Sequence, residues 1–256
     1  MSIHTFSFIG TGNMGSALAR AAAKTLPPEQ LLLSNRTPGK AEALAGELRC
    51  AARPVHEAAR DGKYIFLGVK PQMMEALLTE IAPVLAARTD RFLLVTMAAG
   101  LTMERISAMA GGAYPVIRIM PNTPCAVGEG VILWDADARV TEAEASAFTS
   151  ALSGAGVLDH LEERLIDAGS AVAGCGPAFA CLLLEALADG GVSCGLPRQK
   201  ALLYAAQMLK GTAALQLAAG THPGALKDAV CSPAAPPSPG CRPWRRGASG
   251  ARPWRR

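Results

Sequence analysis

The sequence lacks the features of membrane-spanning and secreted proteins. No uninterrupted apolar run is long enough to cross a bilayer, because the most apolar segment, residues 178–192, is short and carries Glu185 and Asp189. The N-terminus has neither a charged n-region nor a cleavage site, so we expect no secretory signal. We therefore expect a cytoplasmic protein that does not insert into membranes.

Metal and disulfide patterns are missing as well. The 7 cysteines are scattered, with no CxxC and no His/Cys pairing at ligand spacing. The histidines share no spacing that indicates a metal site or a catalytic triad; they are His4, His56, His160 and His222. The sequence thus predicts free thiols in a reducing cytosol and no metal. It identifies no catalytic acid or base.

Acidic residues are absent from the last fifteen positions, where six arginines crowd together. Without those six, the net charge of +4 becomes −2 for the rest of the chain. A mildly acidic body gives no case for nucleic-acid binding, which would depend on the tail alone. With 256 residues, 50% of them hydrophobic, the chain can bury the core of one or two domains.

A glycine-rich turn lies near the N-terminus, between a short apolar run and a helical pattern. Gly10, Gly12 and Gly15 follow the run in Gly-x-Gly-x-x-Gly spacing. Gly10 allows a sharp turn, Gly12 lets the backbone approach a pyrophosphate, and Gly15 lets helix and strand pack closely. The phosphates would lie against free N–H groups at a helix N-terminus. The pattern favours dinucleotide binding over a plain strand-to-helix turn.

Strand-like and helical patterns alternate through the first half of the chain. Apolar, β-rich runs predict strands at residues 5–9, 31–34, 64–69, 92–96, 116–120 and 130–134. Helical periodicity predicts helices at 16–24, 40–48, 73–85, 103–109 and 141–152. This α/β alternation indicates a Rossmann-like parallel sheet with crossover helices.

Helical patterns dominate the second half, at residues 165–172, 177–192, 198–219 and 223–230. We therefore predict an NAD(P)-binding domain at residues 1–160 and an all-helical domain at residues 161–233. The remaining residues, 234–256, are rich in proline and arginine, and we expect them to lack a fixed fold.

The end of the second predicted strand bears on the choice of dinucleotide. NAD binders usually place an acid there for the ribose 2′-OH, whereas this sequence has Ser34, Asn35 and Arg36. A guanidinium matches a 2′-phosphate in charge and geometry. The pattern favours NADP(H) over NAD; the alternative is a solvated arginine in a turn.

Three further segments follow predicted strands, at the ends where open α/β sheets bind ligands. Lys70, in the first of these segments, after the third predicted strand, would contact the ribose or the substrate. The alternative is an ordinary solvated lysine at a strand end. Small residues in the second would let a nicotinamide approach, and the asparagine of the third is a plausible amide donor. The segments are Gly68, Val69, Lys70 and Pro71; Met97, Ala98 and Ala99; and Asn122.

The second half contains blocks that resemble Δ1-pyrroline-5-carboxylate reductases. These blocks are residues 173–179, 185–192, 195–198, 222–224 and 226–233. Together with residues 69–71 and 122–124, they follow the family in order and spacing as far as Pro233, over about nine-tenths of the chain.

The resemblance implies reduction of the cyclic imine pyrroline-5-carboxylate to L-proline, the last step of proline biosynthesis, with NADPH or NADH. It also implies a helical domain that interlocks two subunits, as a homodimer or a larger ring. By position, residues 34–36, 68–71 and 97–99 would hold the cofactor, and Glu163 matches another cofactor-side acid. Within the glycine turn, Ile9, Thr11, Asn13 and Met14 would join the three glycines.

The chain departs from the family after Pro233. The family continues with Gly-Gly-Thr-Thr-Ile, a helix N-terminus that resembles a nest for the substrate carboxylate, whereas residues 234–239 read Ala-Ala-Pro-Pro-Ser-Pro. Prolines remove N–H donors from such a nest. A shifted frame through the codons of residues 235–250 can restore the family's continuation, so we interpret the tail as an out-of-frame reading. We expect the chain as written to bind cofactor but to be badly impaired as a reductase.

Other classes of function stay open. A catalytically inactive NADP(H)-binding subunit-interaction protein would keep the cofactor site without the reaction. Another small dehydrogenase would share the two-domain plan, but residues 174–179 and 226–233 argue against it. The tail's arginines and tryptophans could bind nucleic acid. Since the tail begins where a substrate-binding block is expected, we expect no nucleic-acid partner.

Overall fold

Eight strands form one sheet in the computed structural model, which describes residues 4–230. The strands are β1 (His4–Ile9), β2 (Leu31–Ser34), β3 (Ala51–Ala52), β4 (Gly62–Leu67), β5 (Leu93–Thr96), β6 (Val116–Pro121), β7 (Gly130–Ala136) and β8 (Gly156–His160). Their order is β3-β2-β1-β4-β5-β6-β7-β8, and within residues 4–230 only β6 and β7 pair antiparallel. The predicted Rossmann-like α/β fold is confirmed, with one antiparallel pairing in a sheet predicted to be parallel.

Helices alternate with these strands and cover both faces of the sheet. They are α1 (Asn13–Ala22), α2 (Pro38–Leu48), α3 (Val55–Asp61), α4 (Met74–Ala86), α5 (Met103–Met109) and α6 (Glu142–Leu152). One face carries an aromatic cluster whose ring centroids lie 4.3–6.1 Å apart. The other face packs the apolar sides of α3, α4 and α5. The aromatic residues are Phe6, Phe8, Tyr64, Phe66 and Phe148.

Most predicted helices and strands are present, with ends that differ from the observed ones by up to three residues, and three observed elements were not predicted. The predicted strand at 31–34 and helix at 103–109 have their observed bounds, whereas β3, α3 and β8 are not predicted from the sequence. The strand predicted at 64–69 is wrong at both ends, because β4 spans Gly62–Leu67. It stops where Gly68 turns against the backbone of Gly10.

Helix α7 (Glu163–Ala173) packs directly on the sheet. Ile166 is fully buried in a small core cluster with Met120 and Leu133. Gly169 lets the helix come close, since a Cβ there would lie 2.5 Å from Cδ1 of Leu133. The first of two compact units accordingly ends at Ala180 and the second begins at Cys181. The predicted domain bounds of 1–160 and 161–233 stay a prediction.

The remaining helices are α8 (Gly176–Ser193), α9 (Arg198–Ala219) and α10 (Pro223–Val230). They expose large apolar side chains, among them Phe179, Leu182, Leu203 and Tyr204. By length and composition, residues 163–193 together could cross a bilayer, and 6% of the apolar window within them is buried. The most apolar segment identified from the sequence, residues 178–192, is only part of this longer stretch. The predicted tail, residues 234–256, lies outside the described residues.

Candidate nucleotide-binding site

Four predicted segments meet at the carboxyl edge of the parallel strands. Ile9 pairs with Ser34 on β2 and with Leu67 on β4, and Leu67 pairs with Thr96 on β5. The turns that follow these strand ends emerge side by side, and they contain residues 10–15, 35–36, 68–71 and 97–99. This edge is where open α/β sheets bind ligands.

Glycines pack the first of these turns against the third. Gly10 has φ +107°, and a Cβ there would lie 2.4 Å from the carbonyl oxygen of Gly68. A Cβ at Gly15 would lie 2.1 Å from the carbonyl oxygen of Gly10. At Gly12, by contrast, a Cβ would meet no described atom within 4 Å. Packing within the chain therefore requires Gly10 and Gly15, while Gly12 faces open space that a ligand can fill.

The start of α1 offers groups that suit a pyrophosphate. The first turn of α1 has no acidic side chain, and Gly12 at its N-cap provides no side-chain hydrogen bond. The Thr11 amide donates to Oδ1 of Asn35 at 3.2 Å. The Thr11 hydroxyl is buried and has no hydrogen-bond partner in residues 4–230. A bare helix N-terminus beside an orphaned hydroxyl and a clear space fits a phosphate ligand. Asn13 and Met14 form the first turn itself.

The end of β2 presents a cation at the position expected for the ribose. Arg36 is exposed, and no acid occupies the first turn of α2 that follows it. Asn35 shapes this turn, because its Nδ2 donates to the carbonyl of Thr37 at 3.1 Å. Buried Ser34 accepts the Gly10 amide at its carbonyl, 2.8 Å away. An exposed guanidinium at this strand end suits a 2′-phosphate in charge and geometry, and its contact with a cofactor stays a prediction.

The other two turns frame the opposite side of the crevice. Lys70 is exposed, and Pro71 begins the single 3-10 turn before α4. After β5, the Ala98 amide donates to Oγ1 of Thr96 at 3.3 Å, and Ala99 is exposed. Gly100 has φ +74°, a conformation that favours glycine. Val69 and Met97 are half-buried at the two strand ends.

Asn122 and Glu163, both predicted as cofactor ligands, make their contacts with the protein. Nδ2 of Asn122 donates to the carbonyl of Ala173 at 3.0 Å, and its Oδ1 accepts the Val131 amide at 2.9 Å. Oε1 of Glu163 accepts the amide of Met103, the first residue of α5, at 2.7 Å. Both side chains therefore hold α7 against neighbouring elements. Their direct contact with a cofactor stays a prediction.

A buried guanidinium that sequence reasoning missed lies next to Glu163. The Arg118 side chain is 3% exposed; its Nη2 donates to Oδ1 of Asp167 at 2.7 Å and its Nη1 to Oε1 of Glu163 at 3.4 Å. Its Nε is buried without a partner in the described part of the chain. A signal was present, because Arg118 is the one charge in the apolar strand β6.

Groups with large pKa shifts lie at the other end of the strands. Hydrogen bonds from Arg91 lower the pKa of Glu144 to about 2, and burial raises the pKa of Tyr64 to about 12. The Tyr64 hydroxyl donates to the carbonyl of Glu144 at 2.8 Å. These groups stabilise the fold at the start of β5. Within residues 4–230 no cluster of three metal-ligating side chains occurs.

Comparison with protein-family models gives two matches. The model described as pyrroline-5-carboxylate reductase dimerisation matches residues 163–243. The model described as NADP oxidoreductase coenzyme F420-dependent matches residues 5–100. The first match covers α7 to α10 and continues past Pro233, and the second covers the glycine turn and the predicted segments at residues 34–36, 68–71 and 97–99.

Individual relatives agree with these matches. The pyrroline-5-carboxylate reductase of Pisum sativum is 33% identical over 232 residues, which are 90% of this chain and 84% of that protein. That of Escherichia coli (strain K12) is 36% identical over 229 residues, 88% of this chain and 84% of that protein. A crystal structure of Plasmodium falciparum pyrroline carboxylate reductase with NADP bound superposes with a TM-score of 0.84 at 27% identity, covering 97% of this chain and 92% of that one.

Proposed function

The chain belongs to the pyrroline-5-carboxylate reductase family, and we propose that it reduces 1-pyrroline-5-carboxylate to L-proline with NADPH. The imine carbon takes a hydride from NADPH and the imine nitrogen takes a proton, which gives proline and NADP⁺. The observation that carries the proposal is the meeting of four turns at one sheet edge, in a chain similar to these reductases over about 90% of its length.

Different residues of the crevice bind different parts of the cofactor. The turn at Gly12 and the first amides of α1 hold the pyrophosphate, because they offer donors and space. Arg36 supplies charge for the 2′-phosphate and so favours NADPH over NADH. The small side chains of Ala98 and Ala99 leave room for the nicotinamide, which supplies the hydride when bound.

Association between copies accounts for the exposed apolar helices. Residues 163–243 match a dimerisation model, so the chain forms a homo-oligomer. An exposed apolar surface of this kind marks an interface, so the apolar side chains that α8 exposes, such as Phe179 and Leu182, are covered by another subunit rather than by lipid. A homodimer or larger ring in the cytoplasm is part of this proposal.

Two measurements on the purified chain test the function. NADPH binding is followed by the change in NADPH fluorescence, and reduction by pyrroline-5-carboxylate-dependent loss of NADPH absorbance. We expect NADPH to bind more tightly than NADH. A folded chain with no affinity for either reduced cofactor would contradict the proposal.

An inactive cofactor-binding subunit is the second candidate, and the sequence after Pro233 favours it. Residues 234–239 contain three prolines where the family has N–H donors for the substrate carboxylate. We expect NADPH binding with little turnover, and recovery of turnover when the Gly-Gly-Thr-Thr-Ile continuation is restored. Turnover by the chain as written, equal to that of the restored chain, would exclude this candidate.

A further inference from the structure

Arg118 is a buried arginine whose ion pairs lie inside the protein rather than on its surface. It lies on β6 with its side chain 3% exposed, and it pairs with two carboxylates one turn apart on α7, those of Glu163 and Asp167. Its Nε is a buried donor without a partner in residues 4–230. Burying a charge and leaving one of its donors without a partner lowers the stability of the folded chain, so we infer that Arg118 has a role other than stabilising the fold.

The Glu163 carboxylate links this guanidinium to the turn after β5. Oε1 of Glu163 accepts both from Nη1 of Arg118 at 3.4 Å and from the Met103 amide at 2.7 Å. Residues 97–102 run from the end of β5 to Met103, so this hydrogen bond fixes the far end of that turn. A cleft of about 670 Å³ lies along α5 beside it, which leaves this side of the helix open.

The backbone of Glu163 is fixed by a separate hydrogen bond. Its amide donates to Oδ2 of Asp135 at 2.6 Å, which places the residue but does not orient its carboxylate. Arg118 and the Met103 amide together hold the carboxylate, both through Oε1. Without the guanidinium, Glu163 and Asp167 would repel each other one turn apart, and among the described residues the Glu163 carboxylate would keep the Met103 amide alone as its hydrogen-bond donor.

We propose that Arg118 is a positioning residue for the nicotinamide half of the cofactor, acting through Glu163 on residues 97–102. The inference rests on the proposed function, because it assumes that Ala98 and Ala99 border the nicotinamide. Within residues 4–230 the Arg118 guanidinium pairs with Glu163 and Asp167, so we expect the adenosine half of the site not to depend on it.

Two ligands separate the halves of the site. NADPH needs both halves, whereas 2′,5′-ADP lacks the nicotinamide and binds through the adenosine half alone. Affinities for both are measured on the full chain and on Arg118→Met and Arg118→Lys. The matched control is Arg88→Met, because Arg88 is also 3% exposed and ion-paired but donates to the carbonyls of Ala59 and Gly62, at the opposite edge of the sheet.

We expect Arg118→Met to weaken NADPH binding about tenfold and to change 2′,5′-ADP binding less than about twofold. Arg118→Lys should give a smaller loss, because its single ammonium group reaches one carboxylate, and it keeps the test valid if the methionine variant does not fold. Arg88→Met should bind both ligands as the unaltered chain does.

Three results would overturn the inference. In the first, both Arg118 variants bind NADPH with unchanged affinity. In the second, a folded Arg118 variant loses NADPH and 2′,5′-ADP equally, which indicates a general structural role. In the third, the unaltered folded chain binds neither ligand, which removes the proposed function as well.

Discussion

Replacing Gly12 and Gly15 by alanine, one at a time, separates what the cofactor requires from what the fold requires. Both glycines belong to the turn between β1 and α1. A Cβ at Gly12 would meet no described atom within 4 Å, whereas a Cβ at Gly15 would lie 2.1 Å from the Gly10 carbonyl oxygen. We expect Gly12→Ala to fold normally and bind NADPH poorly, and Gly15→Ala to fold less stably.

The magnitudes follow from these distances. Non-bonded atoms normally sit about 3.5 Å apart, so Gly15→Ala must displace backbone by more than an ångström, and overpacking of this kind costs about 1–3 kcal/mol of unfolding free energy. Gly12 has φ −72° and ψ −170°, which alanine adopts freely. Its replacement changes stability by less than about 1 kcal/mol. The added methyl group occupies the phosphate space, and we expect NADPH affinity to fall about tenfold or more.

Urea unfolding without cofactor measures the first quantity and NADPH titration the second. The two variants serve as controls for each other, because the same methyl group is added three residues apart. A stable Gly12→Ala protein that binds NADPH as tightly as the unaltered chain would refute the assignment of this turn to the pyrophosphate.

Three further predictions follow from individual contacts. Arg36→Ala should weaken NADPH about tenfold and leave NADH nearly unchanged, as paired titrations would show. Gly68→Ala should lower the free energy of unfolding by about 1–3 kcal/mol, since its Cβ would lie 2.5 Å from the Gly10 carbonyl oxygen; an unchanged urea midpoint would contradict this. Glu144, whose pKa is lowered from 4.5 to about 2 by Arg91, stabilises the fold above pH 4.5, and this contribution disappears as the pH falls toward 2. Its size is about 2 kcal/mol after allowance for half-exposed Arg91, and Glu144→Gln should remove this acid-sensitive part of the unfolding free energy.

Elements with a strong apolar pattern were predictable from the sequence, and weakly patterned or half-exposed ones were not. The strands β2 and β6 are apolar runs bounded by turn residues, and α9 spans the predicted residues 198–219. By contrast, β3 has two alanines, and β8 carries Asp159 and His160 in an exposed edge strand, so neither shows a β pattern. The direction of β7 depends on its pairing with β6, which local periodicity does not encode.

The candidate site was predictable where backbone geometry imposes residue type. The glycine turn and the strand-end segments could be located because glycines and strand ends follow fixed rules. Arg118 was missed because its role depends on Glu163 and Asp167, which lie 45 and 49 residues away along the chain. Asn122 was identified as a polar group after a strand, but its contacts with Val131 and Ala173 arise only when α7 packs on the sheet.

The attachment of α7 to β6 limits how the protein can be dissected. A fragment ending at residue 160 would leave the Arg118 guanidinium in an apolar sheet without either of its carboxylates, and removing the partners of a buried charge costs about 3–5 kcal/mol. It would also uncover Met120 and Leu133. The smallest autonomous cofactor-binding module therefore extends at least to Ala173, inside the region that sequence similarity assigns to dimerisation.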